Sequence, residues 1–150
     1  MDARSYFEGV RAAQRGIDRR LAVMESMRQR EQVRAQRYDA VGKGAGRADF
    51  MGATDDRIDY EGRCRGEIAG LRREVEEGRE VCAGVRAANP GRRWGDVLEW
   101  RYCEDRSVQE VSGLLGVSVR SVTADLASAL DWVSMVGVAR ARTGYGRAAV

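Results

Sequence analysis

Residues 107–130, SVQEVSGLLGVSVRSVTADLASAL, decide the fold. Val108, Val111, Leu114 and Leu115 recur at helical spacing, so one face of a first helix is apolar. Ser112 is small where two crossing helices must approach. Gly116 follows, a residue whose backbone takes positive φ without steric cost. Ser118 can then accept a hydrogen bond from a free N–H of the next helix, the role of an N-cap. Val122, Leu126, Ala129, Leu130 and Val133 continue an apolar stripe along that second helix. The pattern is helix, tight turn, helix, and units of this kind mostly read DNA through the second helix.

Working outward, Ser107 with Glu110 three residues later has the spacing of a capping box. A helix predicted over 93–102 carries Trp94, Val97, Leu98 and Tyr102 as its inner face, and 103–106 form a polar turn. Trp94 and Trp100 are expected in a core or interface rather than as base-stacking platforms. Asn89-Pro90-Gly91 is the clearest boundary in the chain.

Before that boundary the pattern is two long helices. Over 5–40, Tyr6, Val10, Ala13, Ile17, Leu21 and Met24 step by threes and fours, and the stripe fades after Met27. Over 56–88, Cys64, Ile68, Leu71, Val75, Gly78, Cys82 and Val85 alternate four-three spacing, a coiled-coil seam weakened at Gly78 and the cysteines. Residues 41–55 carry glycines at 42, 44, 46 and 52 and read as a loop, pinned at one end by Phe50 and Met51. GKGAG lacks both the spacing and the Ser or Thr of a phosphate loop. Such helices fold back as an antiparallel hairpin whose arms are about 45 Å long at 1.5 Å per residue. Asp55, Asp56, Asp59 and Glu61 then lie near a helix start, where carboxylates complement the dipole.

The predicted fold is therefore all-α. A coiled-coil-like hairpin (1–89) precedes a helix-turn-helix domain (90–133) and a basic, mobile tail (134–150). Charged residues make up 33% of the chain and there is one proline, which favours helices over sheets. A net charge of +3 is no polybasic footprint. Five arginines face seven acids between 90 and 133, a slightly acidic balance that gives little phosphate affinity. Arg140, Arg142 and Arg147 follow without an acid and are the expected source of backbone contacts. Cys64, Cys82 and Cys103 are odd in number, form no CxxC pair and are expected reduced and partly buried. The chain contains no histidine, so no metal is expected; no cofactor and no catalytic constellation is expected either. The first residues lack a signal peptide's apolar run and no segment reads as a membrane span, so a cytoplasmic protein is expected.

The segment VLEWRYCEDRSVQEVSGLLGVSVRSVTADLASAL resembles region 4 of the sigma-70 family, which reads the promoter −35 element. The resemblance lies in Trp100-Arg101-Tyr102, the S-x-x-E-V of the first helix, LGVS at the turn and the closing Ala129-Leu130. The layout of a long helical pair followed by this unit also resembles small phage and prophage regulators of the ArpU and RinA kind. Carried over by position, the resemblance implies that Val119, Arg120, Ser121, Thr123, Ala124 and Asp125 form the exposed reading face. Arg120 suits direct readout because its guanidinium can bond two acceptors of guanine. Ser121 and Thr123 can reach a base edge or a phosphate, while Ser118 and the helix start suit phosphate. Val119 and Ala124 stand where the family usually places arginine, glutamate or glutamine.

The expected function is thus a phage- or prophage-encoded, DNA-binding transcription regulator in a bacterial host. Its partners would be double-stranded DNA and bacterial RNA polymerase, with a homodimer formed through the hairpin. The alternative is a protein-interaction module that binds RNA polymerase or another phage protein, including a packaging role like that of a small terminase subunit.

Overall fold

In the computed structural model, residues 2–41 and 47–145 are described, with side chains for all of these except 38–41, 47–51 and 53. The described chain is all-helical. In order come α1 (Ala3–Val41), α2 (Arg47–Ala88), α3 (Trp94–Leu98), a π-helical turn (Glu99–Cys103), α4 (Val108–Leu115), α5 (Val119–Val136) and α6 (Val138–Arg142). No helix among the described residues is long and apolar enough to cross a membrane.

The second long helix begins at Arg47, not near residue 56, so 47–55 are helical rather than loop. Single glycines such as Gly52 are tolerated within a helix at modest cost, and glycine content alone overstates the loop. The GKGAG stretch falls on 42–46, outside the described residues, and so do the side chains of Phe50 and Met51. Asp55, Asp56, Asp59 and Glu61 consequently sit well inside α2 rather than in its first turn.

Packing divides the chain into two compact units, Met1–Arg15 with Arg72–Val150, and Gly16–Leu71. The Asn89-Pro90 boundary ends α2, but the compact units divide elsewhere, at 15/16 and 71/72. A periodic stripe reports that a helix has an apolar face, not which segment covers it.

In the first unit the core comprises Phe7, Val10 and Ala13 from α1 and Val75, Val81, Cys82 and Val85 from α2. Val97, Leu98, Tyr102 and Cys103 belong to it, with Val111, Val122, Leu126, Ala129, Leu130 and Val133, and Ala3 and Ala141 are buried at its edges. Phe7, not Tyr6, is the fully buried aromatic of α1; its ring lies 5.4 Å from that of Tyr102. Cys103 is also fully buried, although 103–106 read as a polar turn. The cause is the π-helical turn, in which the Glu104 N–H donates to the Glu99 carbonyl five residues back. That extra residue per turn rotates Cys103 onto the face already occupied by Leu98 and Tyr102.

Two glycines let α2 approach its neighbours. A Cβ on Gly78 would lie 2.8 Å from a Val10 methyl, and one on Gly84 would lie 1.8 Å from the Ala141 carbonyl oxygen. The second contact seats α6. Within 134–145, the stretch assigned to the tail, α5 continues to Val136 and α6 covers Val138–Arg142, with Ala141 fully buried and Arg142 paired with Glu80. Gly137, at φ 88°, turns the chain between α5 and α6.

In the second unit, Arg20 pairs with Glu67, Arg28 with Glu61 and Glu31 with Arg57. Partner numbers fall on α2 as they rise on α1, so the two segments run antiparallel. The apolar seam is thin: Ile17, Cys64 and Ile68 are buried, whereas Leu21, expected within the stripe, is 40% exposed. Glu61 is the buried charged residue of the chain's described core, held by Arg28 at 2.8 Å and Arg57 at 3.1 Å.

Candidate nucleic-acid interface

The start of α5 is built by local chemistry. Ser107 caps α4 by accepting from the Glu110 N–H at 3.1 Å, and the Glu110 carboxylate returns to the Ser107 N–H, completing the capping box. Hydrogen bonds from Arg106 and from the Ser107 backbone hold the Glu110 carboxyl below the usual carboxylate range. Gly116 ends α4 at φ 66°, ψ 30°, the left-handed conformation that favours glycine. The Ser112 hydroxyl donates to the Val117 carbonyl and tightens the turn. Ser118 then caps α5, accepting from the Ser121 N–H at 3.1 Å and donating to the Ser121 hydroxyl at 2.9 Å. Val122, Leu126, Ala129, Leu130 and Val133 face inward from α5, and Val111 faces them from α4. Leu114, expected on the inner face of α4, is instead 53% exposed. Val111 is the buried residue of α4, and Val108 and Leu115 are half-buried.

Val119, Arg120, Thr123 and Ala124 are exposed together on the first two turns of α5, and Ser121 is half-buried beside the cap. Thr123 donates its hydroxyl to the Val119 carbonyl at 3.0 Å. Asp125 is withdrawn from this surface by a 2.8 Å ion pair with Arg93. Arg140 and Arg142 do not join the group. They lie beyond the far end of α5, and the sixteen residue steps from Arg120 to Val136 span roughly 24 Å of helix. Arg140 stacks over the Tyr145 ring at 5.4 Å, and Arg142 is engaged by Glu80.

Electrostatics around this surface differ from the segment's own composition. Asp96, Glu99, Glu104 and Asp105 are each paired with an arginine from outside the segment: Arg86, Arg79 and Arg86, Arg79, and Arg11 with Arg15. Burial disfavours the charge on Asp105, but the hydrogen bonds from Arg11 and Arg15 outweigh it and hold the carboxyl below the usual range. Four of the seven acids are thus neutralised by α1 and α2. Of the five arginines between 90 and 133, Arg93 and Arg106 hold carboxylates, Arg101 donates to the Arg106 carbonyl, and Arg92 lies over Trp94. Among the described residues, Arg120 has no side-chain partner. Sequence counting missed this distribution because the neutralising arginines lie more than twelve residues away or on another helix.

Elsewhere, all three cysteines are free and buried. A hydrogen bond with Cys103 and burial both push the Cys82 thiol well above its ordinary range. No group of three or more metal-ligating side chains occurs among the described residues. Compared with protein-family models, curated proteins and solved structures, the chain matches none.

Proposed function

We propose that this chain is a DNA-binding transcription regulator, of the kind encoded by phages and prophages, with a helix-turn-helix made of α4 and α5. The observation that carries the reading is the unpaired Arg120 on the exposed first turn of α5, in a segment whose other arginines are all engaged. A free guanidinium on a capped helix start can enter a major groove and bond the two acceptors of guanine. Neutralisation of four acids by α1 and α2 supports the same reading, because it removes the repulsion that the segment alone would present to phosphates. The antiparallel helical pair provides a surface for homodimer formation, and host RNA polymerase is a further partner of the proposed regulator.

A second reading is supported by Leu114 and Val119, exposed aliphatic residues on either side of the turn. They suit a protein partner, RNA polymerase or another phage protein, packed against the α4–α5 corner.

Fluorescence anisotropy with labelled fragments from the gene's own genomic neighbourhood tests both. Sequence-selective binding that survives about 150 mM salt is expected of the regulator. Arg120→Glu is expected to weaken that binding at least tenfold, about 1.4 kcal/mol, within the range for a bidentate base contact. Selective binding unchanged in Arg120→Glu overturns the assigned reading face. Weak binding, equal for all fragments and lost with salt, overturns the regulator in favour of the protein partner.

A further inference from the structure

From the chemistry left free on the start of α5, we infer that the recognised DNA is chosen by guanine and by the methyl groups of neighbouring thymines. This inference rests on the proposed DNA-binding role of that helix and specifies what it reads. Between Val119 and Ala124, Arg120 carries the exposed charged group left without a partner among the described residues. The Ser121 hydroxyl accepts from Ser118 and keeps its own proton, but it is half-buried beside the cap, and the Thr123 hydroxyl proton is used on the Val119 carbonyl. Asp125, the nearest carboxylate, holds Arg93. What remains outward is aliphatic: Val119, the Thr123 methyl group and Ala124, all on exposed residues.

Direct reading of adenine uses the amide of asparagine or glutamine, and direct reading of cytosine uses a carboxylate acceptor. This face offers neither in a free state. Guanine presents two acceptors that a guanidinium bonds at once, and thymine presents a C5 methyl that apolar groups cover. Arg120 and Val119 are adjacent, and Thr123 and Ala124 lie three and four residues on, one turn along the same face. The arrangement therefore fits a short major-groove site in which guanine is flanked by thymine.

The experiment uses the full chain and a duplex pool with a randomised core. The duplex enriched by selection is remade with uracil in place of each thymine, and separately with 7-deazaguanine in place of each guanine. Loss of one buried methyl contact is expected to weaken binding about fourfold, and loss of guanine N7 about tenfold. Val119→Ala is expected to narrow the gap between the thymine and uracil duplexes while keeping the 7-deazaguanine effect. Enriched duplexes indifferent to uracil, or a gap that Val119→Ala leaves intact, overturn the inference while the regulator reading stands. A pool that shows no enrichment overturns both.

Discussion

Residues 1–15 with 72–145 and residues 16–71 draw on the same two long helices, yet they hold them together by different chemistry. In the first unit, α1 and α2 contribute Phe7, Val10, Val81, Cys82 and Val85 to a continuous apolar core, and glycines admit close neighbours at 78 and 84. In the second, three buried apolar side chains among the described residues are supplemented by the pairs Arg20–Glu67, Arg28–Glu61 and Glu31–Arg57. Apolar burial and close packing stabilise strongly and are indifferent to salt. Ion pairs with exposed members contribute little and are screened. One helix pair thus passes from a region set by shape to a region set by charge, and local opening is expected to cost less in the second.

The sharpest way to break the contrast is the same substitution placed in each unit. Gly84→Ala puts a methyl against the Ala141 carbonyl oxygen, a backbone atom that cannot step aside without moving α6. The expected destabilisation is about 3 kcal/mol. It should appear as a lowered urea midpoint and as faster tryptic cleavage at Arg140 and Arg142. Gly62→Ala meets nothing within 4 Å in the middle of α2 and is expected to stabilise by about 0.5–1 kcal/mol. If both variants shift stability in the same direction, shape does not distinguish the two regions.

A smaller effect is expected where the first unit does depend on charge. Asp105 takes φ 51°, unusual for a residue other than glycine, while accepting from Arg11 at 2.6 Å and Arg15 at 3.0 Å. Asp105→Ala keeps the strained backbone and leaves the largely buried Arg11 with only the longer 4.0 Å contact to Glu8, at a cost of about 2 kcal/mol. Asp105→Gly relieves the backbone but not the charge, so its midpoint should fall between those of wild type and alanine. An alanine variant as stable as wild type would show that the Arg11–Asp105 contact is incidental to the packing of α1.

These contrasts were partly legible in the sequence. The all-helical class and the caps at Ser107, Gly116 and Ser118 follow from local chemistry, because a cap is decided within four residues. The partners of each helix were less legible. Tyr6 and Phe7 are adjacent on α1, and only the Tyr102 ring opposite decides which is buried. Nor does the stretch SMVGVARART announce that it packs; the signal lies at Gly84, more than fifty residues earlier, where an absent side chain makes room. On the candidate interface, residue types marked the exposed start of α5. That Asp125 is held by Arg93, and that Arg120 is left free, depends on pairings between helices that no spacing rule reports.

The smallest expected effect sharpens the other side of the comparison. Arg28, then Arg57, hold the Glu61 carboxyl below its usual value of 4.5 against the cost of burial. A carboxyl with a lowered folded-state value is charged in both states at neutral pH, so its stabilising contribution is complete above about pH 4.5. The contribution is lost as pH falls through the folded-state value, because the unfolded chain takes up its proton first. Wild type and Glu61→Gln should therefore differ at pH 7, by a few degrees in the melting of 16–71, and the gap should be smaller at about pH 4, below the unfolded-state value. Hydrogen exchange of amides 57–68 provides a local readout, and added salt should narrow the gap at pH 7 in the same way. A gap of equal size at both pH values would mean that Glu61 acts by filling space, and that the second unit is held by shape like the first.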